Sequence, residues 1–243
     1  MSMKTDRYKM YYPKRDVNNR NSKYIPHVIS SYISPLMNRL VECESQAEEI
    51  FFSMLEMSIS VEEYFHQPVE VPVKVYNPQG QLEPWMHYPD CLVFFEDNVK
   101  PCLVQVKGDK EIQEIKPKDV NIFRACEQYA RENGWTFRVV YPYTLNETLR
   151  LNIKKLFPYT KAERDDETIA DMLNQALDKH QIMTIDELLR MVEPIISRQK
   201  ALSVIWHELA LGNLYTDFNK PVNRRSKIRI ALLGDDDLYK KLL

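Results

Sequence analysis

The stretch from Tyr88 to Lys107, YPDCLVFFEDNVKPCLVQVK, holds the residues whose types and spacing best suit chemistry. The acid Asp90 precedes one apolar run, Leu92-Val93-Phe94-Phe95. The amide Gln105 and the ammonium Lys107 close a second, Leu103-Val104-Gln105-Val106. Hydrolysis of a phosphodiester needs a carboxylate to hold a divalent cation against the scissile phosphate. It also needs further oxygen ligands and a positive group that orients water or neutralises developing charge. Asp90 and Lys107 suit the first and last of these roles.

The elements that must position them are two short strands. Both runs are rich in β-branched or aromatic residues, while Glu96, Asp97, Asn98 and Pro101 between them favour turns. A hairpin centred between Asn98 and Val99 places Asp90 opposite Lys107 and Leu92 opposite Gln105, and period-two alternation puts all four side chains on one face. Polar groups at one end of an apolar sheet face need partners. A structural Asp90–Lys107 salt bridge would meet that need without any catalysis.

Around this hairpin the chain reads as an α/β unit. Glu42 to Met57 is predicted helical, with Ala47, Phe51, Met54 and Leu55 as its apolar stripe. The neighbours of Glu48 at helical spacing are Phe51, Phe52 and Leu55, so its carboxylate is expected on the core side. Glu49, Ser53 and Glu56 are expected on a polar face. Glu48 also suits a simple helix-end role. Val69 to Tyr76 alternates as a strand with an edge position at Pro72, closed by the turn Asn77-Pro78-Gln79-Gly80. A helix from Lys118 to Glu132 stops at Asn133-Gly134, and Trp135 to Tyr141 forms another strand. Helix, three strands, helix and strand predict a mixed sheet.

Composition narrows the class. Of 243 residues, 44% are hydrophobic, which is ample for real cores. A net charge of -2 argues against a blanket polycation, so any contact with nucleic acid must come from local patches. No apolar run reaches the ~18 residues of a membrane span, and the start does not read as a secretion signal, so a cytoplasmic protein is expected. Cys43, Cys91, Cys102 and Cys126 lack metal or redox spacing and read as buried free thiols. His27, His66, His87, His180 and His207 form no metal-spaced set and take no role. Residues 1–40 interleave Lys4, Arg7, Lys9, Lys14, Arg15, Arg20 and Lys23 with Tyr8, Tyr11, Tyr12 and Tyr24, which reads either as a phosphate-contacting arm or as a solvated terminus.

A second part begins after Tyr141-Pro142-Tyr143. Helices are expected over 145–157 and 166–177, then from the capping box Thr184-x-x-Glu187 through Met191, then over Ser197–Leu211. Strands follow at 214–218 and 226–233. Three helices and a hairpin describe a winged helix-turn-helix. Arg224, Arg225, Lys227 and Arg229 make its wing basic. The would-be recognition helix, however, carries Trp206, His207 and Glu208, a poor set for reading a groove. Contact with a protein is therefore at least as good a reading.

Pro89-Asp90 followed by Gln105-x-Lys107 resembles the PD-(D/E)xK motif of restriction-endonuclease-like nucleases, with Gln at the second acid. Adding Ser45-x-x-Glu48, Val61-x-x-Tyr64-x-x-Gln67-Pro68 and Tyr88-x-Asp90, in that order, the chain resembles the TnsA endonuclease of Tn-seven-like heteromeric transposons over residues 42–141. The chain then divides into a basic arm (1–40), a domain at 41–144 for which the resemblance implies a restriction-endonuclease-like catalytic fold, and a winged-helix domain (145–243). The resemblance implies Glu48 and Asp90 as metal carboxylates, Gln105 at the variable acid position, the Val106 carbonyl as a further ligand, and Lys107 as the catalytic lysine. The cofactor would be Mg²⁺, with Mn²⁺ as a substitute. The activity would be cleavage of the 5′ strand at transposon ends, with the TnsB transposase and the ATP-dependent regulator TnsC as partners. A restriction or repair nuclease with the same core, or a non-catalytic adaptor binding DNA or protein, are the competing readings.

Overall fold

The computed structural model describes residues 3–15, 30–76, 79–96, 98–108, 117–161, 167–232, 235 and 237–243. The chain forms two compact units, one of residues 1–51, 60–144 and 242–243, the other of residues 52–59 and 145–241.

The first unit opens with helix α1 (Met3–Met10) and a hairpin of β1 (Ser30–Ser34) and β2 (Arg39–Cys43). Helix α2 (Gln46–Glu56) starts here, followed by β3 (Val61–His66), β4 (Val71–Tyr76), β5 (Leu82–His87), β6 (Cys91–Phe95) and β7 (Cys102–Val106). Helix α3 (Pro117–Glu132) and β8 (Thr136–Val140) complete it. The central sheet has the order β3-β6-β7-β8, antiparallel except for the parallel β7–β8 pair that α3 connects. Every residue of β6 and β7 is buried, as their nearly continuous apolar runs require for strands covered on both faces, with Gln105 the polar exception.

The expected strand at 69–76 exists as β4, but it pairs with β5 in a separate two-stranded ribbon. The sheet strand beside β6 is instead β3, inside the Val61…Gln67 motif. Its polar residues hid it: Glu62 is the extra residue of a bulge between Val61 and Glu63.

Helix α3 seats Cys126 and Ala130 against Phe65, Val71, Leu92, Phe94 and Leu103, which form the core on that side of the sheet. It ends in a Schellman turn. Gly134 takes φ +75°, its N–H donates to the Arg131 carbonyl at 3.1 Å, and the Trp135 N–H donates to the Ala130 carbonyl at 2.8 Å.

Within the first 40 residues the arm reading needs correction where the chain is described. Arg7 of α1 donates to Glu62 at 3.0 Å and to Glu63 at 3.1 Å, with its guanidinium 4.4 Å from the centre of the Phe94 ring. Tyr11 packs on Phe65, Phe94 and Trp135. These two residues are structural, because a buried Glu63 demands a positive partner. Arg20, Lys23 and Tyr24 lie outside the described residues. In α2, Ser53 and Glu56 are buried rather than solvated, since every residue from 51 to 57 is enclosed.

The second unit holds α4 (Glu147–Leu156), α5 (Glu167–His180), β9 (Met183–Thr184), α6 (Ile185–Val192), α7 (Arg198–Ala210), β10 (Leu214–Tyr215) and β11 (Lys227–Ile230). The Thr184–Glu187 capping box forms as expected. The strands are shorter than expected, and β9 joins them to give the order β10-β11-β9. Gly212 after α7 has φ +73°, and a Cβ there would lie 2.8 Å from the Ile59 side chain, so both backbone and space require glycine. Trp206, His207 and Glu208 are buried in α7 and are unavailable for reading a groove. Arg198 donates to Asp186 at 2.6 Å and Arg229 makes two bonds to Asp235, while Arg224, 3.8 Å from Asp186, stays exposed together with Arg225 and Lys227. All four cysteines are free and buried, in β2, β6, β7 and α3. No described helix is long and apolar enough to cross a membrane.

Candidate active site

Asp90 sits just before β6, and two features fix it. Its backbone carbonyl accepts the Gln67 N–H at 3.0 Å, Gln67 being a buried residue at φ +44° that turns the chain out of β3. Its Oδ2 accepts the Val106 N–H at 2.6 Å and a bond from Gln105 Nε2. The hairpin register differs from the tight-turn expectation. Cys91 pairs with Val104 and Leu92 with Leu103, so Asp90 falls opposite Gln105 and not Lys107. The cause is a wide connection from Glu96 to Pro101: the Glu96 N–H leaves the hairpin for the Ser60 carbonyl, and Asn98 takes φ +58°. The slip is an even number of positions, so Asp90 and Gln105 still share a face.

The N–H and C=O of an extended residue leave a strand on the same edge. The Val106 N–H points to Asp90, so the Val106 carbonyl points to that side too. Both hydrogen bonds described for Asp90 fall on Oδ2, which keeps Oδ1 for another partner. Burial holds the Asp90 carboxyl well above the usual carboxylate range, the nearby charge of Glu48 adds to this, and the Val106 N–H opposes it.

Glu48 lies in the first turn of α2 and is half-buried. Its Oε2 accepts the Glu44 N–H at 2.8 Å, its Oε1 accepts the Ser45 hydroxyl at 3.0 Å, and Ser45 Oγ accepts the Glu48 N–H at 3.2 Å. That reciprocal cap realises the helix-end role and also fixes the carboxylate near Asp90. Burial raises the Glu48 carboxyl, against the lowering effect of the bonds from Glu44 and Ser45.

Lys107 is not paired with Asp90. Its Nζ lies 3.3 Å from Asp119 Oδ1, on the first turn of α3, and 5.4 Å from the centre of the Phe123 ring. The structural salt bridge considered for Asp90 is thus made elsewhere, because Lys107 stands two positions beyond the residue facing Asp90. Asp119 carries no signal in the sequence beyond that of an acid at the start of a helix.

His87 was also missed. From the end of β5 its Nε2 bonds Gln105 Oε1 at 2.6 Å, and its ring packs on Trp85 with centroids 5.6 Å apart. An amide oxygen only accepts, so Nε2 carries the proton. Burial lowers the His87 pKa, and Lys107 and Arg15 lower it further against the raising effect of the Gln105 bond. The structure thus brings together Asp90, Gln105, Val106 and His87, with Glu48 and Lys107 close enough to act on the Asp90 charge. Among the described residues, no three His, Cys, Asp or Glu side chains converge as a metal cluster. A site here would rest on two carboxylates supplemented by neutral oxygens.

A mixed sheet whose strand ends bring an acid, an amide and a lysine to one place beside a crossover helix is compatible with the restriction-endonuclease-like class of α/β nucleases. Residues 58–141 match the family model described as the TnsA-like endonuclease N-terminal domain. The likeness read from the linked motifs therefore holds over this segment, which is a TnsA-like endonuclease domain related to a transposase subunit. The match spans Asp90, Gln105 and Lys107, while Glu48 precedes it. No curated protein matches the chain.

Proposed function

We propose that this protein is the Mg²⁺-dependent endonuclease subunit of a heteromeric transposase, cutting the 5′, non-transferred strand at transposon ends alongside TnsB and under the control of TnsC. The observation that carries the reading is that the segment matching the TnsA-like domain includes Asp90, Gln105 and Lys107, folded at adjoining strand ends. The donor set fits a hard divalent cation. The charge of Glu48 helps to raise the Asp90 carboxyl, Asp90 Oδ1 is not engaged by the described hydrogen bonds, and a backbone carbonyl faces the same side. Asp90, Glu48 and the Val106 carbonyl would hold the ion, with the Gln105 amide beside it. The ion would polarise the phosphate and acidify a water.

The chain's own groups do the rest. The Val106 N–H and the Gln105 amide hold Asp90 at Oδ2 and direct Oδ1 outward. The Ser45–Glu48 cap keeps Glu48 from swinging away. Asp119 holds the Lys107 ammonium at the end of β7, where it can meet charge building on a phosphate oxygen. In the second unit, α5, α6 and α7 followed by the β10–β11 hairpin support a winged-helix reading. The buried α7 residues and the paired arginines favour a protein surface, and TnsC is the proposed partner.

Strand mapping on end-labelled transposon-end DNA tests this, with Mg²⁺, TnsB and TnsC present. The expected result is that Asp90→Ala loses the 5′-strand cut and keeps the 3′-strand cut. Identical 5′ cutting by both proteins would remove Asp90 from the site, and no 5′ cutting by the wild type would favour an adaptor.

A further inference from the structure

The Gln105 amide has two ends, and the structure engages both: Nε2 on Asp90 and Oε1 on His87 Nε2. A glutamine at this place in a metal site could turn either end to Asp90. With nitrogen inward it ties the carboxylate down. With oxygen inward it sets a third oxygen against Asp90, where two acceptors repel. We propose that His87 is a positioning residue that fixes the Gln105 amide with its nitrogen on Asp90, so that Gln105 serves to hold the metal carboxylate. This deepens the nuclease reading and rests on it.

Three observations support it. The His87–Gln105 bond is short, at 2.6 Å, and joins a half-buried ring to an amide only 7% exposed, so water competes weakly for either group. Trp85, tilted 42° to the ring, packs against His87 and limits its rotation. The ribbon also fixes the distance: His87 is the last residue of β5 and pairs with Val71, which is anchored in the core under α3. A neutral imidazole with its proton on Nε2 is the only form of this ring that donates to Oε1 while leaving no extra charge beside Asp90.

The tautomer is the direct test, read in metal-free wild-type protein by long-range ¹H–¹⁵N correlation of the His87 ring at neutral pH. The Nε2–H form is expected, and an Nδ1–H form would overturn the proposal. Mn²⁺ binding measured by calorimetry gives the second arm. His87→Leu should weaken binding about 10- to 100-fold, the range found when partners of metal ligands are removed. His87→Gln, which places an amide N–H where Nε2 stands, should restore most of it. In a Gln105→Leu background, His87→Leu should add nothing. Equal loss in both backgrounds, or no loss in either, would overturn the positioning role. If wild-type protein bound no Mn²⁺, the nuclease reading would fail by itself, and the tautomer would still decide whether His87 orients Gln105.

Discussion

Lys107 Nζ stands 3.3 Å from Asp119 Oδ1, so the lysine of the Gln-x-Lys motif takes its counter-charge from the first turn of α3 and not from Asp90 on the neighbouring strand. Asp119 is buried and Lys107 half-buried, an arrangement that aims the ammonium without spending the charge of Asp90. Asp119→Asn keeps the shape and one oxygen acceptor but loses the charge. Cleavage should fall about 10- to 100-fold, as for other groups acting one step from a metal site, with DNA affinity little changed. Single-turnover rates beside binding titrations check the split; a loss confined to binding would place Asp119 outside catalysis.

The raised carboxyl of Asp90 has a stability consequence. In the metal-free fold it keeps its proton to a higher pH than in the unfolded chain, where it titrates near 3.9. Between those two values stability declines as pH rises, and the penalty is complete above the folded value. Asp90→Asn should therefore raise the melting temperature at pH 8 and give no gain below the ordinary carboxylate range. Mg²⁺ should stabilise the wild type and leave the variant unmoved. Melting curves across pH, with and without Mg²⁺, read both effects.

His66, in β3, has its pKa lowered to about 4, chiefly by burial, with Arg39 adding to it. The unfolded chain takes up that proton near 6.5, so acidification from 6.5 to about 4 favours unfolding, and the loss levels off below. NMR titration should show His66 neutral through pH 5, and a midpoint near 6.5 would contradict the burial of this ring.

In the second unit, Arg224, Arg225 and Lys227 are exposed positive residues, Arg224 lying 3.8 Å from Asp186, whereas Arg229 and Arg198 are engaged more closely by acids. On the proposed partnership with TnsC, Arg225→Glu combined with Lys227→Glu should leave affinity for transposon-end DNA within about threefold and weaken binding of TnsC. A protein that made phosphate contacts through these residues would instead lose affinity at low salt and show a shallower salt dependence.

Much of the site was legible because parity outlives register. The alternation of Asp90, Leu92, Gln105 and Lys107 put Asp90 and Gln105 on a common face, and a two-position slip of register leaves them there. Which residues face one another was not legible, since the Glu96–Ser60 bond that opens the turn joins segments far apart in sequence. His87 and Asp119 escaped for the same reason. Each comes from an element that meets β7 only in three dimensions, and neither carries a local signal beyond an ordinary strand end or helix start. The strand β3 was obscured by Glu62 and Glu63, whose charges are answered by Arg7 and Arg39 from distant segments. In the second unit the caps at Asn146, Thr184 and Ser197 are encoded within a few residues, which is why its helices were placed closely.

The docking of Arg7 on Glu63 and Phe94 also bears on how small a working fragment of this protein can be. Glu63 is 4% exposed and its two positive partners, Arg7 and Arg39, both precede residue 41. A shortened chain starting there would bury a carboxylate with neither, at a cost of about 3–5 kcal/mol, and would uncover the aromatic face where Tyr11 meets Phe65 and Phe94. Such a fragment would retain Asp90, Gln105 and Lys107 and still aggregate, so the sheet that carries them depends for its solubility on residues that read as an accessory tail.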